Sequence, residues 1–400
     1  MFKGQGRKVI SVLIIAFLIF SAGFLGFLIR DVSADNQLLA EVPDQFRTFK
    51  SVLSIVDQHY VEEVDVEKLL TGAIDGMLEA LDDPYTSYLS SSEYQDMQSG
   101  FEGEFGGIGI EVTMREDRVM VVSPIKGTPG DEAGLQAGDV IAEINGESTE
   151  GMSLDEAVNL MRGEPDSEIE LRIKRGFLDE SGEESDEELE TFSVNIIRDI
   201  IEISYVDSEI KADKLGYIRV AQFGEGIGKE VASKLAEFEG TEVEGIILDL
   251  RNNPGGILHE AVDLASNFVS NGSIVHIKQR DSGEETLLSN PDIEPTQLPV
   301  VVLINKGSAS GSEIVAGAIQ DTQSGTLIGN QTFGKGAVQS IVPLDGGSAL
   351  KLTTARYFTS DGRDINEKGI EPDLEVKFDL DTEEDEQLDK AIEYLLDKLE

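Results

Sequence analysis

A chain of 400 residues is long for one ordinary domain and predicts two or three. It has no cysteine, which excludes disulfides, thiolate catalysis and cysteine-ligated metals. With 32 basic against 78 acidic residues the formal charge is −46, a field that repels nucleic-acid phosphate, so no DNA or RNA partner is expected. Dispersed acidity with little lysine also suits a saline habitat, although an ordinary solvated surface accounts for it equally. His59, His259 and His276 are scattered without zinc-binding spacing, so neither a metal nor a cofactor is expected.

Lys3, Arg7 and Lys8 precede the apolar run Val9 to Ile29. At 1.5 Å per residue that run spans roughly 31 Å, about one hydrocarbon core. The cationic end is expected in the cytoplasm and everything after Arg30 outside it, giving a single-pass cell-membrane protein with an extracytoplasmic functional part. A cleaved signal peptide is the rival, since "VSA" at Val32 to Ala34 offers small residues; the length of the apolar run favours a retained anchor. Residues 1–30 are thus read as cytoplasmic tip and anchor.

From Pro43 to Leu89 apolar residues recur at helical spacing (Phe46, Phe49, Leu53, Val56; then Leu70, Ile74, Met77, Leu81), predicting two amphipathic helices, the second stopped by Pro84. Their stripe can be core against the rest of the chain or the seam of a homodimer. Residues 43–100 are read as an N-terminal helical region. Strands at Val119 to Val122, Val140 to Ile144 and Ile169 to Ile173 then alternate with turns and one helix, Leu154 to Met161. Here "GGIGI" and "AGLQAGDVIAEINGE" closely resemble the carboxylate-binding loop and the most recognisable segment of a PDZ domain. Such domains add an extended peptide as a strand and hold its terminal carboxylate on loop amides. The resemblance implies contacts from Gly107, Ile108, Gly109 and Ile110, within a domain spanning 101–198. Eight carboxylates between Asp179 and Glu190 read as a solvated hairpin tip.

After Ile200 the pattern becomes α/β: strands "GYIRV", "GIILDL", "SIVHIK", "VVVLI" and "TLIG", with helices Ile227 to Phe238, Ile257 to Val269 and Glu313 to Gln320. Residues 381–400 are read as a docked structural helix, with Leu388, Ile392, Leu395 and Leu399 on one face and acidic residues on the other.

"VVVLIN" leads into "KGSASGS" and then a helix, a strand-to-helix turn that exposes a side chain and points amides outward. Taken alone, Ser310 with Glu313 satisfies a capping box and Ser312 is an equally good cap, so the local pattern favours a helix start. A nucleophilic serine needs a base, and no histidine lies in a suggestive position. Lysine can serve if burial depresses its pKa well below the ordinary ~10.4. Lys335, between glycines before the apolar strand "AVQSIVPL", is the candidate. "GNQTFGKG" also approaches a phosphate-binding loop, but Gly336 stands where a hydroxyl should hold magnesium and the next segment is β-like.

"DLRNNPGG", "NKGSASGSEIVAGAIQD", "TFGKGAVQS" and "YFTSDGRDINEKGIEPDL", in this order behind a PDZ domain, resemble the carboxyl-terminal processing proteases, the S41 Ser-Lys peptidases with a crotonase-like core. The resemblance runs from about residue 43 to the end. It implies Ser310 as nucleophile, Lys335 as general base, Gln339 orienting that lysine from the same strand face, and the amides of Gly256 and Gly311 as oxyanion donors. The chain departs from the family at Gly311, where alanine is usual, and in the tail motif, which usually starts with proline-serine and has a more basic middle. Arg162, after the PDZ helix, matches a position that couples PDZ domain to active site in gated members, and reads equally as an ordinary surface arginine. Asp321 aligns with an aspartate sometimes implicated in activity, although a helix-end carboxylate is the better reading.

The expectation is therefore an α/β fold: a crotonase-like protease core at 199–380 with an inserted PDZ domain, flanking helices and an N-terminal transmembrane helix. Its function would be that of a membrane-anchored serine endopeptidase acting on proteins or peptides with exposed C-termini. The rivals are a catalytically silent PDZ adaptor on the membrane and an acyl-CoA enzyme of the crotonase class. The PDZ domain and the anchor argue against the second.

Overall fold

In "VVVLI" successive side chains leave a strand on opposite faces, and both faces are apolar, which requires a sheet covered on both sides. A computed structural model, which describes residues 43–115, 117–176, 190–280, 283–377 and 384–399, contains that sheet. Val300, Val302 and Ile304 join one hydrophobic cluster together with residues of helices Ile227–Glu239, Leu258–Ser266 and Gly311–Asp321. Val301 and Leu303 join another, with Ala391 and Leu395 of the C-terminal helix Glu386–Leu399. The docked role expected of that helix follows from Leu388, Ile392 and Leu399 packing against this second cluster.

Six strands form the sheet. Val206–Lys211 lies antiparallel to Leu215–Val220, which continues in parallel through Gly245–Asp249, Val300–Ile304, Thr326–Gly329 and Leu374–Glu375. The parallel pairing puts the loops that follow 249, 304 and 329 at one end of the sheet, where α/β folds place their sites. A second sheet is organised around the long strand Ala349–Thr359, which pairs with Ser87–Leu89, Ala337–Pro343 and Ser273–Gln279; Gly283–Leu288 closes its far edge.

The expected PDZ sheet runs Ile110–Arg115, Arg118–Pro124, Val140–Ile144, Glu168–Arg175, Glu190–Ile197, with helix Leu154–Met161 starting at the capping box Ser153–Glu156. Its entry strand Glu104–Gly107 pairs with its exit strand Asp199–Glu202. The anchor run Val9 to Ile29 and nearly all of the acidic hairpin tip lie outside the described residues. Among the described residues no helix is long and apolar enough to cross a membrane.

The described residues divide into two compact units, with the boundary between Leu81 and Asp82. In the first are helices Pro43–His59 and Val66–Glu79, the latter capped by Asp65 accepting from the Lys68 N–H. The division falls within the region 43–100 expected to be one helical piece. Residues after Leu81 are drawn into the second unit because Ser87–Leu89 finds backbone partners on Ala349–Thr359.

Arg251, at the start of "RNNPGG", is nearly buried and binds two carboxylates. Its guanidinium meets Asp249 at 2.6–3.0 Å and Asp385 at 2.7 and 2.8 Å, while Tyr217 donates to Asp249 at 2.8 Å. Burial alone would lower the guanidinium's pKa; its bonds to Asp385 and Asp249 raise it instead. Burial likewise pushes the Asp385 carboxyl up, and Arg251 holds it below the usual carboxylate range. Arg251→Met strands Asp249, whose side chain is 4% exposed, and should lower stability by ~3–5 kcal/mol, read as a reduced urea midpoint. A loss below ~1 kcal/mol would show the pairing to be idle. Asp385's share is full above the unfolded pKa near ~3.9 and is lost as pH falls through the depressed folded value, so the variant should also flatten the acid side of the stability curve.

Candidate active site

Three loops leave the carboxyl ends of neighbouring parallel strands: residues 250–257, 305–310 and 330–336. The first two are clasped by side chains. Ser308 Oγ donates to the Leu250 carbonyl at 2.8 Å, Ser312 Oγ to the Asn253 carbonyl at 2.9 Å, and the Ala309 N–H to that same carbonyl at 3.0 Å. Asn253 is itself buried, with Nδ2 on the Val220 carbonyl at 2.8 Å and Oδ1 on the Gly255 N–H at 2.9 Å. Ser312, expected as a helix cap, thus serves as a clamp between loops, because the first loop lies over the helix start. Of the three serines Ser308 and Ser312 are buried, and Ser310 lines a cavity of about 450 Å³.

Ser310 has φ 54° and ψ −111°, a left-handed conformation outside the favoured regions for a residue with a side chain. It starts helix Gly311–Asp321 and lifts its own side chain off the helix axis. Gly256, with φ 149°, has no room for a side chain: a Cβ there would lie 2.2 Å from the Phe223 carbonyl oxygen. Phe223 pins the flanking peptides, donating to the Gly255 carbonyl at 3.0 Å and accepting from the Ile257 N–H at 2.8 Å. Pleating therefore turns the Gly256 N–H to the opposite side, and both Gly256 and Gly311 line the cavity. Gly256, Gly311 and Ser310 thus border one space.

Lys335 lines the same cavity. Among the described residues its Nζ makes no hydrogen bond, to Ser310 or otherwise; it lies 4.9 Å from the centroid of the Tyr85 ring. Burial lowers its pKa and the positive charge of Lys351 lowers it further, against Glu313 and Asp83, which raise it. Tyr357 is fully buried beside it, its hydroxyl donating to the Lys335 carbonyl. Burial pushes this phenol well above its ordinary pKa and the charge of Glu313 adds to the rise.

Glu313 ties the two loops together. Its carboxylate accepts from the N–H groups of Ser310 (2.9 Å), Gly334 (2.7 Å) and Lys335 (2.9 Å) and from Thr332 Oγ1 (2.6 Å). Burial pushes its pKa up; all four partners are donors and pull it down. With every neighbour donating, the ionised form is the one that satisfies the site.

Gln339 also lines the cavity, but its Nε2 lies 3.4 Å from the Ala337 carbonyl and 3.5 Å from Thr353 Oγ1. Lys335 precedes the strand Ala337–Pro343, and Lys335, Ala337 and Gln339 all line the cavity; the β-bulge beside Val338 and Gln339 places its extra residue, Thr354, on the partner strand Ala349–Thr359. Asp321 pairs with Arg363 and accepts from the Asp361 N–H at 2.9 Å, a helix-end role.

In the PDZ loop the carbonyls are tied inward. Ile108 accepts from the Gly130 N–H at 2.6 Å, and Gly109 from the Ile125 N–H at 2.9 Å and Thr128 Oγ1 at 2.8 Å. Ile108 is buried in the domain's core, Gly107 pairs with Asp199, and Ile110 opens the sheet's edge strand. Arg162 bonds Asp96 and stacks 4.9 Å from the Phe105 ring centroid. Asp96 belongs to helix Ser91–Glu102, whose Met97 and Phe101 line the same cavity as Ser310 and Lys335.

Reading the sequence missed this helix, although Ser90 and Glu93 form a capping box that announces it. It also missed Asp83, Tyr85, Lys351 and Tyr357, which carry no motif visible in one sequence. Glu313 was seen only as a cap.

Residues 214–376 match the model of peptidase family S41, residues 120–175 that of the PDZ domain, and residues 29–92 the activating protease CtpB N-terminal domain. A carboxy-terminal-processing protease of Bartonella bacilliformis is 40% identical over 341 residues, 84% of this chain and 76% of that one. Carboxy-terminal processing protease CtpA of Bacillus subtilis is 33% identical over 373 residues, 93% and 77% respectively. A solved structure from Bacteroides fragilis, described as an S41 protease, shares the fold with a TM-score of 0.51 at 16% identity, covering 87% of this chain and 97% of that one. The chain therefore belongs to peptidase family S41, among the carboxy-terminal processing serine proteases that carry a PDZ domain.

Proposed function

We propose that Ser310 is the nucleophile and Lys335 the general base of this peptidase. The observation that carries the reading is that Ser310, Lys335, Gly256 and Gly311 all line one cavity. Neutral Lys335 takes the Ser310 proton as Oγ bonds to the scissile carbonyl carbon. The oxyanion rests on the Gly256 and Gly311 amides, and the lysine ammonium then gives its proton to the leaving amine as the C–N bond breaks. Water, deprotonated by the same lysine, releases the acyl group. Gln339 supports this cycle from the cavity wall after the peptide has entered.

The substrate is a protein or peptide with an exposed C-terminus. Its carboxylate is held by the loop Gly107, Ile108, Gly109 and Ile110, whose inward-tied carbonyls leave amides for the ligand, and its strand extends the edge Ile110–Arg115. Arg162 relays occupancy of the PDZ domain toward helix Ser91–Glu102. Met97, Phe101, Ile257, Ile314 and Val338 give the cavity an apolar wall that suits apolar residues at the cleaved position. The run Val9 to Ile29 is read as an anchor that holds a crotonase-like core outside the cytoplasm, and the amphipathic stripe of the N-terminal helices as a seam for a second copy.

The test is cleavage of a peptide with an apolar C-terminus by the purified full chain. Ser310→Ala and Lys335→Ala should each lower kcat by about 10³-fold or more, and EDTA should change nothing; parent-like turnover in either variant overturns the pair. kcat/KM should rise with pH through the lysine's depressed pKa, because only the neutral amine is a base, and a profile falling over that range would reject this role. Amidating the peptide's C-terminus should raise KM about 10–100-fold with kcat little changed, the loss of a charge-assisted bond on the PDZ loop.

A further inference from the structure

The turn holding Tyr85 is built, not loosely laid over the cavity. Asp83 accepts from the Tyr85 N–H at 3.1 Å and from Thr86 Oγ1 at 2.6 Å, and Thr86 Oγ1 in turn accepts from the Thr353 N–H at 3.1 Å on the long strand. The aromatic ring is thereby fixed against the amine of Lys335, with Nζ 4.9 Å from its centroid. A ring face at that distance attracts an ammonium and has no comparable hold on a neutral amine. Meanwhile the buried phenol of Tyr357 donates to the Lys335 carbonyl. The lysine is thus met by one tyrosine at its backbone and by another at its amine.

We propose that Tyr85 is a positioning residue: its ring, backed by Asp83, seats Lys335 as an ammonium away from Ser310, and Lys335 leaves that seat on losing its proton to water. The inference rests on Lys335 being the base. The seat withholds the base until deprotonation, so it raises the pH at which the free enzyme becomes competent.

Other groups around Lys335 act in both directions. Asp83 from the turn and Glu313 from the nucleophile helix favour the ammonium; Lys351 from strand Ala349–Thr359 and burial oppose it. Tyr357 is a buried neutral phenol, Glu93 lies near Lys351, and Glu367 acts on Tyr85. Burial pushes the Tyr85 phenol itself above its ordinary range, with Glu313, Asp83 and Glu367 adding to the rise, so its own ionisation does not enter the neutral range.

The test is the pH profile of kcat/KM for the full chain, which reports the free enzyme. Tyr85→Leu keeps the apolar cover and removes the ring. Its acid limb should move down by about 0.5–1 pH unit, raising kcat/KM below the limb about 3–10-fold. Tyr85→Phe keeps the ring face and should track the parent. Asp83→Asn should shift the limb down as well, and Lys351→Met should shift it up. If Lys335→Ala is inactive while the limbs of Tyr85→Leu and Asp83→Asn stay at or above the parent's, the seat is overturned. Should Tyr85→Leu fail to fold, Asp83→Asn decides alone in the same direction. Parent-like activity in Lys335→Ala would instead overturn the assignment of the base, and the seat with it.

Discussion

The carboxylate of Glu313 is the interaction on which the site depends. Four donors converge on it, one from the loop carrying Ser310 and three from the loop carrying Lys335. The strands before those loops are held in register by the parallel pairing of Val301–Ile304 with Thr326–Gly329, but the pairing ends at 329, several residues short of the lysine. Beyond that point a buried acceptor has to fix the second loop against the first. A fully desolvated carboxylate is tolerated only when its lone pairs are satisfied, so the same burial that threatens Glu313 obliges both loops to keep their donors on it.

The conformation of Ser310 is held in the same manner. A left-handed, non-glycine residue costs about 1–3 kcal/mol. Ser308 and Ser312 flank it with buried hydroxyl bonds to the Leu250 and Asn253 carbonyls, and Ala309 adds a backbone bond. At roughly 1 kcal/mol net for each such bond, the three match the strain. The motif with three serines is thus a division of labour in which the outer two hold the turn that exposes the middle one.

Much of this fold was legible because its signals are local. The apolar run 300–304 announced a sheet covered on both faces, the helix boundaries near 154–161 and 311–321 followed from capping and periodicity, and the order of four motifs carried the family. What was not legible depends on distant pairings. Residues 87–89 read as the end of a helical region until strand 349–359 claims them, and the role of Asp83 and Tyr85 exists only once Lys335 is beside them. Gln339 shows the limit of a periodic rule: it shares the cavity wall with Lys335, as alternation predicts, yet its Nε2 meets the Ala337 carbonyl and Thr353 Oγ1 rather than the lysine.

The PDZ domain is attached so that one glycine serves two purposes. Its entry and exit strands pair with each other, Glu104–Gly107 against Asp199–Glu202, and the loop proposed to hold the peptide carboxylate begins at Gly107, where that pairing ends. Next to it the Gly163 N–H bonds the Gly106 carbonyl at 3.1 Å, and a Cβ on Gly106 would lie 2.1 Å from the Gly163 carbonyl oxygen, so the chain leaving the PDZ helix packs backbone against backbone here. Arg162, one residue earlier, reaches Asp96 while both side chains stay over a third exposed, and an exposed pair of this kind contributes ~0–1 kcal/mol. The stable part of the joint is therefore the strand pair and the glycine contact. The ion pair to the helix bearing Met97 and Phe101 is the weak part, and so the contact most easily exchanged in the relay proposed for Arg162.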